Sequence, residues 1–171
     1  GSATVPPGLG GGMWRTPLGR GLGGGAVGRR GGGPAGRTRR PVARGGDAAT
    51  IVTWGAMVNR SLRAAELIAK ESGKQAEVID LRTIMPIDRE AILASVKKTG
   101  RLLIVHEDVL FMGFGAEIAA LVGEEAFEYL DAPIKRVGGK FTPIPHAPVL
   151  ENEVLPQTAD IENVLGELLR Y

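Results

Sequence analysis

Short β-rich runs alternate with helical segments from residue 41 onward, and this alternation limits the fold more than any other feature of the chain. The run TIVTW (residues 50–54) is apolar or β-branched throughout, which is typical of a strand buried on both faces. The next segment repeats apolar residues at helical spacing between Val58 and Ala69, and Gly73 is a suitable helix stop. The same order of strand and then helix recurs three more times.

These three repeats predict the rest of the secondary structure. They comprise strands at residues 76–81, 102–106 and 134–137, and helices within 89–99, 115–130 and 159–169. Asp88 is a suitable N-cap for the second helix, and Gly100 ends it. The last helix carries one apolar stripe, formed by Ile161, Val164, Leu165 and Leu168. Strands and helices in this order predict an α/β fold, a mostly parallel sheet with helices on both faces.

The charge of the chain is divided unevenly between two segments. Residues 1–40 hold seven arginines and no acidic residue, which leaves 14 basic and 19 acidic residues from Pro41 onward. The net charge of +2 therefore combines a basic segment with an acidic domain. We expect a Gly/Arg-rich disordered tail at residues 1–40 and one domain at 41–171.

Several interpretations of the tail stay open. Its composition fits an incidental disordered segment, and the first Gly-Ser without a Met is typical of a cloning artefact. An RNA-binding arm, a mitochondrial leader from Met13 and a membrane-surface segment are alternatives. Arginines without acids predict at most non-specific, salt-sensitive binding of nucleic acid.

The composition also excludes some classes of protein. The chain has no cysteine, so it forms neither a disulfide framework nor a thiolate metal site. No apolar run approaches the roughly 20 residues that cross a bilayer. We therefore expect no membrane partner, and a location in the bacterial or archaeal cytoplasm or, alternatively, the mitochondrial matrix.

One cluster of residues could carry chemistry in a stand-alone ligand-binding or enzymatic module. His106, Glu107 and Asp108 follow the predicted third strand, at the edge where open α/β sheets bind ligands. However, neighbours on a strand point to opposite faces, and the cluster has no nucleophile. The adjacent GFGAE motif (residues 113–117) lacks the third glycine of a dinucleotide fingerprint, and Glu117 would repel a diphosphate. A tight turn that packs a helix on the sheet is the simpler interpretation, and His146 is interpreted as a surface or packing residue.

Several segments together resemble one family. They are DAATIVTWGAMVNRSLRAAE, EVIDLRTIMPID, VHEDVLFMGFGAEIAALVGEEAFEYLDAPIKRVGG and PIPHAPVLENEVLPQTADI. The chain from about Pro41 resembles the C-terminal, transketolase-type domain of the 2-oxo acid dehydrogenase E1 β subunit, as found in the branched-chain, pyruvate and acetoin enzymes. The resemblance implies a three-layer α/β/α sandwich with a five-stranded mixed sheet. It also implies an antiparallel edge strand within PVARG (residues 41–45), which is too short and polar to predict from the residues alone.

The resemblance implies a non-catalytic role for these residues. In such enzymes thiamine diphosphate and magnesium lie between two other domains, neither of which this sequence contains. We therefore expect no catalytic residue, no metal site and no cofactor bound by this chain itself.

The implied role is packing and docking. The domain packs against E1 α and β subunits or against itself, and in some members it docks the peripheral-subunit-binding domain of the E2 acyltransferase. The family's acidic docking groups correspond to Asp131 and the terminal carboxylate of Tyr171. Phe141 stands where many relatives have Asp, so the local turn departs from the family pattern.

Overall fold

The computed structural model describes residues 42–171, and these residues form five strands and five α-helices. In chain order they are β1 (Val42–Arg44), β2 (Ala49–Thr53), α1 (Met57–Ser72), β3 (Ala76–Asp80), α2 (Arg89–Thr99), β4 (Leu102–Val109), α3 (Phe114–Glu125), β5 (Lys135–Gly139), α4 (Pro148–Val154) and α5 (Thr158–Leu168). A short 3₁₀ turn, Phe127–Tyr129, follows α3. The expectations about the tail fall outside these residues, and the domain boundary at residue 41 stays a prediction.

The five strands form one mixed sheet in the order β1-β3-β2-β4-β5. β1 pairs with β3 antiparallel, whereas the pairs β3–β2, β2–β4 and β4–β5 are parallel. The predicted α/β class and the antiparallel edge strand are therefore confirmed.

Alternating side chains of the central strands face two separate cores. Ile51, Leu103 and Val105 pack with the apolar faces of α1 and α5. Val52 and Ile104 pack on the other side, with α2 and α3. Both cores exclude water from the sheet, which confirms the three-layer α/β/α arrangement.

Helix ends follow the signals in the sequence. Asp88 caps α2, because its Oδ1 accepts a hydrogen bond of 3.1 Å from the Ala91 N–H. Gly73 and Gly100 end α1 and α2 in the left-handed conformation, at φ 74° and 68°, where a side chain is disfavoured.

The segment after β5 contains a helix that the sequence analysis did not predict. Residues 143–147 are irregular, but α4 begins at Pro148. Proline at the first helical position has no N–H that needs a partner, and its φ is already helical. The negative charge of Glu151 in the first turn interacts favourably with the helix dipole. These local signals outweighed the proline content.

The cap of α2 gives a test of this local structure. Asp88→Ala is expected to lower the free energy of unfolding by about 1 kcal/mol, because a helical N–H loses its acceptor. Asp88→Ser, which keeps an acceptor, should restore most of the loss. Chemical denaturation of the three chains measures it, and equal stability of Asp88→Ala and the parent chain would contradict it.

Candidate functional site

The imidazole of His106 lies inside the protein, near the carboxyl end of β4. Its side chain is fully buried and stacks on Trp54, with ring centroids 5.3 Å apart and planes 5° apart. The parallel register of β2 and β4 pairs Thr53 with Val105, so the next residues, Trp54 just after β2 and His106 within β4, lie side by side. The histidine is thus a packed core residue.

The glycines of the GFG motif leave room for this ring. A Cβ added at Gly115 would lie 2.5 Å from His106 Nε2, and one at Gly113 or Gly138 would lie 3.1 Å from His106 Cε1. The space that a side chain at each of these glycines would need is therefore filled by other atoms of the protein. Together with Glu117 in the first turn of α3, this arrangement does not fit a cradle for a diphosphate. Among the described residues, this motif therefore does not fit the diphosphate of thiamine diphosphate.

The three residues His106, Glu107 and Asp108 do not converge on one site. His106 is buried, whereas Glu107 and Asp108 are exposed. The Asp108 Oδ1 accepts a 2.7 Å hydrogen bond from the Val109 N–H, which turns it back on its own backbone. Among residues 42–171, no group of three His, Asp or Glu side chains is placed to hold a metal. His146 is exposed, in the irregular segment before α4.

Burial governs the ionisation of His106. Desolvation lowers the pKa of the imidazole below its usual 6.5; the carboxylate and the backbone of Asp108 offset part of this, and Arg136 lowers the pKa slightly. Within the described chain neither ring nitrogen has a hydrogen-bond partner. The neutral form is therefore favoured in the folded state.

Asp131 lies away from the His106 cluster, beside the carboxyl end of α2. Its N–H donates a 2.7 Å hydrogen bond to the Gly100 carbonyl. Its carboxylate lies where a Cβ of Gly100 would stand, so the glycine makes room for it. Arg101 Nη1 is 3.9 Å from the carboxylate, a weak ion pair, and 65% of the Asp131 side chain is exposed. This carboxylate is positioned by its backbone and remains open to solvent.

Asp131 and Tyr171, which the sequence analysis selected together, lie in the same groove. The groove has a volume of about 500 Å³. Its lining consists of Gly123, Phe127, Leu130, Asp131, Ala132, Pro133, Ile134 and Tyr171. The structure thus brings together two residues that are 40 positions apart in sequence.

Sequence reasoning missed the apolar lining of this groove and the stacking of Trp54 on His106. The aromatic residue Phe127, four positions before Asp131, was a usable sequence signal for the lining. The aromatic stack depends on the register between β2 and β4, which no local pattern encodes.

The α/β/α fold with this mixed sheet places the chain in a known class of domain. The model of the family described as "Transketolase, C-terminal domain" matches residues 39–161, so the chain belongs to this family. A solved structure titled "Split gene transketolase, inactive beta4 tetramer" aligns with a TM-score of 0.64 and 27% identity, over 75% of this chain and 41% of that one.

Curated relatives narrow the family to one type of subunit. The chain is 46% identical to the pyruvate dehydrogenase E1 component subunit beta of Rickettsia bellii, over 74% of this chain and 39% of that protein. It is 49% identical to the mitochondrial counterpart of Dictyostelium discoideum, over 76% of this chain and 36% of that protein. It is 51% identical to the 2-oxoisovalerate dehydrogenase subunit beta of Pseudomonas aeruginosa, over 62% of this chain and 29% of that protein.

The chain is therefore homologous to the C-terminal domain of 2-oxo acid dehydrogenase E1 β subunits, as the sequence motifs predicted. It spans well under half the length of each of these relatives. In the part of the chain that the structure describes, no helix combines the length and apolarity that a membrane span needs.

The buried histidine makes stability depend on pH in one direction. Above about pH 6.5 the folded and unfolded chains are both neutral at His106, whereas below it only the unfolded chain readily takes the proton. The contribution of His106 should therefore fall as the pH drops from 7.5 toward 5.5. Denaturation of the parent chain and of His106→Gln at both pH values measures the difference in slope.

The chain contains its own control for this measurement. His146→Gln removes the exposed histidine and is the control for the loss of one imidazole. A pH dependence that persists in His106→Gln but disappears in His146→Gln would contradict the assignment.

Proposed function

We propose that this chain is a non-catalytic assembly and docking domain of a 2-oxo acid dehydrogenase E1 β subunit. In this role it packs against E1 subunits or a second copy of itself and contacts the E2 acyltransferase. One observation carries the docking part: Asp131 and Tyr171 line one groove. We propose that Asp131 contributes its side-chain carboxylate to docking and Tyr171 its terminal carboxylate.

The electrostatics support a basic partner at this groove. Carboxylates accept charge-assisted hydrogen bonds from Lys and Arg, and these are stronger than bonds between neutral groups. From Pro41 onward the chain has 14 basic and 19 acidic residues, so the domain attracts cationic surfaces at long range. The peripheral-subunit-binding domain of E2 is the partner that we propose.

Exposed apolar side chains support the packing role. Met85, Phe111, Met112 and Phe141 are each more than two-thirds exposed, and they follow the carboxyl ends of β3, β4 and β5. Phe111 and Phe141 contact each other edge to face, with centroids 5.8 Å apart. An apolar surface of this kind is typical of a subunit interface.

Two further elements belong to the same proposal. The whole enzyme would use thiamine diphosphate and magnesium held by other domains. It would act in the bacterial or archaeal cytoplasm or in the mitochondrial matrix. We propose no membrane partner for the domain, and only non-specific binding of nucleic acid by residues 1–40.

Calorimetric titration with an E2 peripheral-subunit-binding domain tests the docking role. Asp131→Asn is expected to weaken binding about fivefold, roughly 1 kcal/mol, since the group is largely exposed. Binding to the parent chain should also weaken with added salt, because the contact is between opposite charges.

A matched acid close by controls for net charge. Glu128→Gln removes the same charge three residues from Asp131, outside the groove lining, and should change binding little. Two glycines added after Tyr171 displace the terminal carboxylate and should act like Asp131→Asn. Absence of binding by a folded parent chain would refute the docking role.

The non-catalytic role is tested separately. The pure 171-residue chain, supplied with thiamine diphosphate, magnesium and a 2-oxo acid, is expected to release no carbon dioxide above background. The cofactor carries the decarboxylation chemistry, and we propose that this domain does not hold it. Turnover that depends on protein concentration would overturn this part of the proposal.

A further inference from the structure

The floor of the groove beside Asp131 is apolar. Besides Asp131, its lining consists of glycine and apolar or aromatic residues: Gly123, Phe127, Leu130, Ala132, Pro133, Ile134 and Tyr171. Phe127 is 74% exposed, although removing a phenyl ring from water lowers the free energy. The groove thus offers an unburied aromatic surface directly beside a positioned carboxylate.

Hydrogen bonds hold the backbone segment that carries both the aromatic ring and the carboxylate. The Leu130 N–H donates a 3.1 Å hydrogen bond to the Phe127 carbonyl, which closes the 3₁₀ turn. The next residue, Asp131, is held by its 2.7 Å bond to Gly100. Little conformational freedom is therefore left for the backbone to lose when a partner contacts both groups.

We infer that this groove binds an apolar side chain which the docking partner carries next to its cation. The partner segment is thus amphipathic and basic, with its Lys or Arg at Asp131 and its apolar anchor against Phe127. This inference rests on the proposed docking function and specifies the chemistry of the partner. Tight interfaces commonly place an aromatic anchor at their centre, with charges at the rim.

The charges at the groove favour such a partner over a second copy of the chain. In a two-fold symmetric contact centred here, the Asp131 carboxylates of both copies would come together. Like charges brought together at an interface are costly. A basic partner would instead neutralise the charge of Asp131. Within the chain, the Nη1 atom of Arg101 comes only to 3.9 Å from the Asp131 carboxylate.

The apolar anchor and the ion pair are separable by their response to salt. In titrations with an E2 peripheral-subunit-binding domain, Phe127→Ala is expected to weaken binding about tenfold at both low and high salt. Asp131→Asn should weaken it mainly at low salt, because ionic screening already reduces the charge contact at high salt. Val149→Ala is the control, since Val149 is 77% exposed and lies outside both the groove and the apolar surface proposed for subunit packing.

Each outcome decides the inference. If Phe127→Ala binds like the parent chain while Asp131→Asn is weakened, docking is purely electrostatic, so the inference fails and the proposed function stands. If the folded parent chain does not bind the partner, the proposed function itself fails. If Phe127→Ala changes only the sedimentation of the chain alone, the groove is occupied by a second copy and the inference is overturned. Loss of binding with an unchanged circular dichroism spectrum and melting temperature supports it.

Discussion

Burial of the two central strands on both faces is the constraint on which the other elements depend. β2 and β4 pair with each other and with one further strand each, so their backbone groups are used within the sheet. Their side chains then need apolar cover on two sides, which α1 and α5 supply on one face and α2 and α3 on the other. The same burial extends to His106, whose polar ring stacks on the partly buried Trp54.

The sequence predicted this architecture well because its main signals are local. Continuous β-branched runs such as residues 50–54 indicate strands buried on both faces, and Asp88 and Gly100 mark both ends of α2. β1 was identified only through the family resemblance, since its three residues are mostly exposed and carry little pattern. Helix α4 was missed because proline at a first helical position and proline in an extended connector look alike in sequence.

The candidate sites were predictable to a smaller extent. Asp131 and Tyr171 came from the family motif, and nothing local to either residue indicates that they share a groove. That proximity depends on how α5 packs beside the sheet, a contact between distant parts of the chain. His106, Glu107 and Asp108 are adjacent in sequence but differ in burial, which the sequence analysis anticipated only in part from the alternation of side chains along a strand.

Gly100 joins two properties of the domain that are usually separate. It ends α2 in a left-handed conformation, and its missing side chain leaves the space that the Asp131 carboxylate occupies. Any larger residue there would strain the helix end and displace a charge on the surface at the same time. The stability of α2 and the position of the acidic group beside it therefore cannot be altered independently at Gly100. A redesign of this surface has to keep glycine at the end of the helix.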